Sequence, residues 1–180
     1  MPEVDPDATL IIATSWQALS RAETGDERAS ICNCTVILVF AAFFLEANLN
    51  HVINEIRQAD VISDLPGEYA GLQRKLGWFY NTFMASSPIT EKARLETALE
   101  EEFPGFLQLR DFRNSLAHGV IDRALANLNE AKRLRLAAKR IVDRLLAIAA
   151  DKGYPVQRGV EYQVAVSSFE IQSPAEGNQS

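Results

Sequence analysis

The chain has 180 residues, 47% of them hydrophobic and 23% charged, which is enough for one domain that buries its own core. A net charge of −6 excludes a protein that holds nucleic acid through overall positive charge, because that mode rests on many Lys and Arg contacts to phosphate. Any RNA contact must be local.

Met1 to Asp7 is acidic and contains proline, with no basic segment ahead of an apolar run. No signal-peptide pattern is present, and a cytoplasmic location is expected. Leu10, Ile11, Ala13, Thr14, Ala18 and Leu19 recur at helical spacing before the Thr24-Gly25-Asp26 break, which predicts a first amphipathic helix. Cys32 and Cys34 are the two cysteines. Their one-residue gap suits neither a disulfide framework nor a zinc knuckle, so both read as core thiols.

From Thr35 to Leu45 every residue after the threonine is apolar. The run falls short of the roughly 18 residues that a membrane span requires and reads as a central buried helix, with no membrane role. The helix then becomes amphipathic. Leu45, Leu49, Val52, Ile53 and Ile56 keep one apolar stripe, while Glu46, Asn50 and Asn54 line up at i, i+4 and i+8 on another face, either as solvated surface or as the lining of a site.

After Asp64-Leu65-Pro66-Gly67, a third stripe runs through Tyr69, Leu72, Leu76, Phe79, Tyr80 and Phe83. Ser86-Ser87-Pro88 closes that element and is expected to open the next, a short acidic helix ending near Phe103. Pro104 is expected to begin another, with Leu109, Phe112 and Leu116 inward and Gly119 at its end. A last long helix is predicted from Asn127 or Asn129 to Ala150, with Leu134, Ala138, Ile141, Leu145 and Ile148 buried and Gly153 just past its end. Val160, Tyr162, Val164 and Val166 alternate with Glu161, Gln163, Ala165 and Ser167, the period of a strand. Residues 151–172 therefore read as a C-terminal extended, strand-like segment and 173–180 as a disordered tail.

Chemistry concentrates in Leu109-Arg110-Asp111-Phe112-Arg113-Asn114-Ser115-Leu116-Ala117-His118-Gly119, which collects Arg, Asn and one of the two histidines at a helix end. Histidine can take a proton from a ribose 2′-hydroxyl or return one to a leaving oxygen. Arginine can hold a phosphate with two parallel hydrogen bonds while charge builds in the transition state. Together they need no metal and no cofactor. Five helical steps set Arg113 and His118 roughly 7.5 Å apart along the axis and about 140° apart around it, which suits a cleft shared between two symmetry-related helices. Asn114 aligns with His118 at i and i+4. The plainer alternative makes His118 a capping residue before a glycine and Arg113 an ordinary surface ion pair.

Arg113-Asn114-Ser115-Leu116-Ala117-His118 resembles the Arg-x4–6-His signature of the HEPN superfamily, with Asn114 as the polar residue that often follows the arginine. The apolar helix leading into Leu45-Glu46-Ala47-Asn48-Leu49-Asn50 resembles the family's earlier core helix, and the likeness covers roughly residues 8–150. It implies an all-α fold, an antiparallel helical bundle that dimerises with the motif helices facing each other. It further implies a metal-independent endoribonuclease leaving a 2′,3′-cyclic phosphate. His118 would then be the general acid/base, Arg113 the phosphate and transition-state contact, and Asn114 an orienting residue. Glu46 would tune His118 from the earlier helix.

Between Arg123 and Arg144 seven basic residues stand against two acidic ones. Lys132, Arg133, Lys139 and Arg140 are thus candidates for contact with an RNA backbone, the alternative being a solvated helix face. The expected function is a dimeric endoribonuclease, the toxin of a toxin–antitoxin pair or an antiviral effector, with a neutralising protein as partner. The alternative is a non-catalytic dimerisation or RNA/nucleotide-binding module of the same superfamily.

Overall fold

A computed structural model describes residues 18, 21–23, 27–59, 64–67, 69–120 and 127–154. These residues are all-α, with no strand among them. Five helices follow in order: α1 (Glu27–Ala59), α2 (Leu72–Phe83), α3 (Lys92–Glu102), α4 (Phe106–Ala117) and α5 (Leu128–Asp151). Ala18 and residues 21–23 are also helical, whereas most of the first expected helix, the alternating segment at 160–171 and the tail at 173–180 lie outside the described residues.

The apolar run and the amphipathic stripe after it form one 33-residue helix, α1, the spine of the fold. It touches α2, α4 and α5, and its contact with α5 is the most extensive among the described helices. Leu38, Leu45, Leu49, Val52 and Ile56 along it have no exposed surface.

Two expectations about this helix need correction. The run from Thr35 to Leu45 is buried on one side only: Ile37, Leu38 and Leu45 are fully covered, while Phe43 is 43% exposed. A helix points its residues around the full circle, and an eleven-residue apolar run exceeds what one packed face absorbs. Of the two thiols, Cys34 is buried but Cys32 is exposed. Residues two apart on a helix differ by about 200° around the axis, so the same core cannot hold both. Burial pushes the Cys34 thiol up, and a hydrogen bond with Ser30 opposes that rise. The continuous helix also removes the argument from shortness: over Ser30–Ala59, with mean hydropathy 2.0, it is long and apolar enough to cross a membrane by length and composition. In this fold one side of the helix forms core against α5, and 39% of its apolar window is buried.

Helix starts depart from expectation more than helix ends. Tyr69 lies in a turn and is 95% exposed, and α2 begins three residues later. The Ser87-Pro88 pair does not open α3. Asn81 instead clamps the loop, donating to the Ile89 carbonyl at 3.1 Å and accepting from its N–H at 2.9 Å. The next helix therefore starts only at Lys92.

Both glycine-terminated ends appear as expected. After α4, Gly119 at φ +74 donates to the Leu116 carbonyl and Val120 to that of Ser115. After α5, Gly153 at φ +88 donates to Ala150 and Tyr154 to Ala149. This is the double bond pattern of a left-handed glycine cap. Asn127 caps the start of α5 by accepting from Glu130 N at 3.0 Å, and the predicted stripe from Leu134 to Ile148 is buried.

Candidate functional site

The site is carried by α4, whose start is fixed from α3. Glu100 accepts from Gly105 N at 2.7 Å and from Leu107 N at 3.0 Å, so one carboxylate satisfies two donors that a helix start leaves open. Gly105 sits at φ +90, and a Cβ there would meet Ala137 Cβ at 3.0 Å. Those demands, rather than Pro104, set the first residue at Phe106. Phe106, Leu109 and Phe112 then point into the core. Arg110, Arg113 and Asn114, spaced at i, i+3 and i+4, share another face.

That face lines a cleft of about 400 Å³ together with Gly71, Gln73 and Arg74 at the start of α2 and Leu95 of α3. One wall is tied down tightly. Arg110 Nη1 donates to Gln73 Oε1 and Glu96 Oε1, each at 2.7 Å, and Gln73 Nε2 donates to Glu96 Oε1 at 3.1 Å, joining α2, α3 and α4. Arg110 also pairs with Asp111 at 2.7 Å. The hydrogen bond from Arg110 holds the Glu96 carboxyl below the usual carboxylate range against the opposing effect of burial.

Arg113 faces the cleft and reaches α1 as well. Its Nη2 donates to Glu46 Oε2 at 3.3 Å, and its Nη1 lies 3.4 Å from Asn114 Oδ1. Glu46 therefore contacts the arginine of the motif and not the histidine it was expected to tune. The pair is part-exposed, so Arg113 is oriented while keeping donors for an anion.

His118 stands apart from this group. It is the exposed C-cap of α4, its backbone N–H donating to the carbonyls of Asn114 at 3.2 Å and Ser115 at 3.1 Å. The structure thus brings together Arg113, Asn114 and Glu46, while His118 lies one helical turn beyond Asn114 and does not line the cleft with Arg113. Among the described residues no group of three His, Cys, Asp or Glu side chains could hold a metal ion.

The expected RNA footprint on α5 is largely engaged in ion pairs. Lys132 pairs with Glu23 at 2.6 Å, Arg133 with Glu130 at 2.6 Å while also donating to Gln108 Oε1, and Lys139 with Asp143 at 2.7 Å. Arg140 is exposed.

Sequence reasoning missed Arg74, Gln73 and Glu96. Arg110 was inside the quoted stretch, three residues before Arg113, and its helical spacing was a usable signal. Arg74 carried none, because α2 meets α4 only through the fold. Comparison with protein-family models, curated proteins and solved structures finds no match.

Proposed function

We propose that the chain is a HEPN-like antiparallel helical bundle acting in the cytoplasm as a metal-independent endoribonuclease. The observation that carries the reading is the Arg113 guanidinium, oriented by Glu46 at the edge of a cleft beside Asn114, on the helix whose C-cap is His118. In the reaction, the ribose 2′-oxygen attacks the adjacent phosphorus and the bond to the 5′-oxygen breaks, leaving a 2′,3′-cyclic phosphate. His118 takes the 2′-hydroxyl proton and returns one to the 5′-oxygen. Arg113 binds the phosphate oxygens as their charge grows.

Because His118 does not line the cleft of its own chain, the active unit is a dimer in which a second copy completes the site. Exposed apolar residues support that assembly. Phe43 lies one turn before Glu46, Val120 lies two residues after His118, and both are open to solvent. In a toxin or antiviral role, a neutralising protein would cover the same surface.

The decisive experiment incubates the purified protein with single-stranded RNA in excess chelator. Cleavage is expected, with Arg113→Ala and His118→Ala each slowing it at least about a hundredfold while light scattering still reports a dimer. Unchanged rates in both variants would end the proposal.

A second reading has an observation of its own. The separation of an exposed His118 from the cleft suits a non-catalytic dimerisation or RNA/nucleotide-binding module, which would bind RNA without cutting it.

A further inference from the structure

The α2 side of the cleft carries a guanidinium that the proposed chemistry leaves unassigned. Arg74, Arg110 and Arg113 all line the cleft, and among the described residues no acidic side chain does. The carboxylates that hold two of these arginines come from positions outside the lining: Glu96 and Asp111 for Arg110, Glu46 for Arg113. Those carboxylates offset the charges of Arg110 and Arg113, so on a chain of net charge −6 the cationic character of the cleft rests chiefly on Arg74. Such a local field attracts phosphate even on an acidic protein.

The three arginines are not equivalent. Arg110 is committed to the knot among α2, α3 and α4, with its side chain 15% exposed. Arg113 is shared with Glu46. Arg74 is exposed, on the first turn of α2, and no acidic side chain described here stands as its partner. That first turn has neither an acidic residue nor a side-chain cap, so its open backbone donors add to the guanidinium. Leu72 and Leu95 supply apolar wall. About 400 Å³ is the size of pocket that takes a small organic ligand.

The geometry points to Arg74 as a second phosphate contact, which binds the phosphate next to the one held by Arg113 on a single-stranded RNA. The inference rests on the RNA reading of this cleft and adds how the strand runs: from Arg113 on α4 towards Arg74 at the start of α2.

The probe is a short, fluorescently labelled 2′-O-methyl RNA, which lacks the 2′-hydroxyl and so reports binding without cleavage. Arg74→Ala is expected to weaken binding about tenfold at physiological salt and to lower the salt slope by about 0.7, the share of one single-strand phosphate contact. Arg74→Lys should restore the slope. The exposed Lys152, beyond α5, provides a control: Lys152→Ala should leave both quantities unchanged.

A second pair of variants separates binding from folding. Gly71 is the N-cap of α2, in ordinary extended backbone at φ −64, and an added Cβ there meets nothing within 4 Å. Gly71→Asp and Gly71→Asn are both favoured helix caps. Both caps occupy the open backbone donors, and the charged variant should weaken RNA binding clearly more than Gly71→Asn, with thermal stability equal to or above wild type in both.

The inference is overturned if Arg74→Ala binds with wild-type affinity and slope, or if Gly71→Asp binds like Gly71→Asn. Should either occur in a protein that still cleaves unmodified RNA, the subsite fails and the nuclease reading stands. Arg74-dependent binding with no cleavage of unmodified RNA gives the reverse.

Discussion

Arg113 Nη2 donates to Glu46 Oε2 across 3.3 Å, linking the motif helix to the spine of the fold. Both side chains are part-exposed, so the pair contributes under about 1 kcal/mol to stability, and its main effect is on where the guanidinium points. If the chain is the proposed ribonuclease, Glu46→Ala is expected to shift the melting temperature little while lowering kcat/KM for RNA about tenfold through loss of alignment. Glu46→Gln, which still accepts from Arg113, should recover most of that loss. If activity is unaffected by Glu46→Ala, the pair is simply a tie between helices.

Acid should loosen the cleft through Glu96. Its carboxyl is held below its usual range, first by the hydrogen bond from Arg110 and further by Gln73 and Lys92, against an opposing effect of burial. A carboxyl whose folded value lies below its unfolded one contributes stability at higher pH, and that contribution is lost as pH falls through the folded value. Glu96→Gln should therefore be less stable than wild type near neutrality. The two should converge as the pH drops below about 4, where an ordinary glutamate protonates. Urea unfolding across that range is the check, and a constant gap between the curves would show that the Glu96 charge is not what holds the knot.

Gly105→Ala should destabilise the fold for two reasons that a control can separate. Its φ of +90 costs an L-residue about 1–2 kcal/mol, and the new Cβ would also meet Ala137 Cβ at 3.0 Å. Gly153, at φ +88, has open space around the same position. Gly153→Ala should therefore show the backbone cost alone, and Gly105→Ala a larger fall in melting temperature. Equal falls would mean that α5 yields at Ala137 without cost.

The difference between these glycines also shows what the sequence can reveal. Gly119 and Gly153 end helices by a local rule, in which a left-handed residue lets the last carbonyls find donors, and both ends could be read directly. Gly105 follows a tertiary rule set by α3 and α5, so the start of α4 was placed too early, at Pro104. The site divides in the same way. Arg113, Asn114 and Arg110 lie within one helix at helical spacing, whereas Arg74 reaches the cleft, and Glu96 reaches Arg110, through long-range packing that no local pattern encodes. Composition hid the exposure of Phe43 and Cys32 for a related reason: an apolar run tells that a helix has a core face, not how wide that face is.

Arg135 tests how far basic charge on α5 serves structure. Burial pushes its guanidinium down to about 10, well under the ordinary arginine value. A cation whose folded value lies below its unfolded one destabilises the native state wherever it is charged in both. The penalty is present in full below about 10 and shrinks as the pH climbs from there towards the unfolded value. Arg135→Met keeps much of the side chain's length and removes the charge. It is expected to raise stability at neutral pH by about 1 kcal/mol or more, the sense seen when buried ions give way to apolar groups of similar volume. The gap between variant and wild type should narrow above about pH 10. Chemical denaturation at neutral and alkaline pH measures both quantities. A less stable Arg135→Met would show that the contacts of this side chain outweigh the cost of burying its charge.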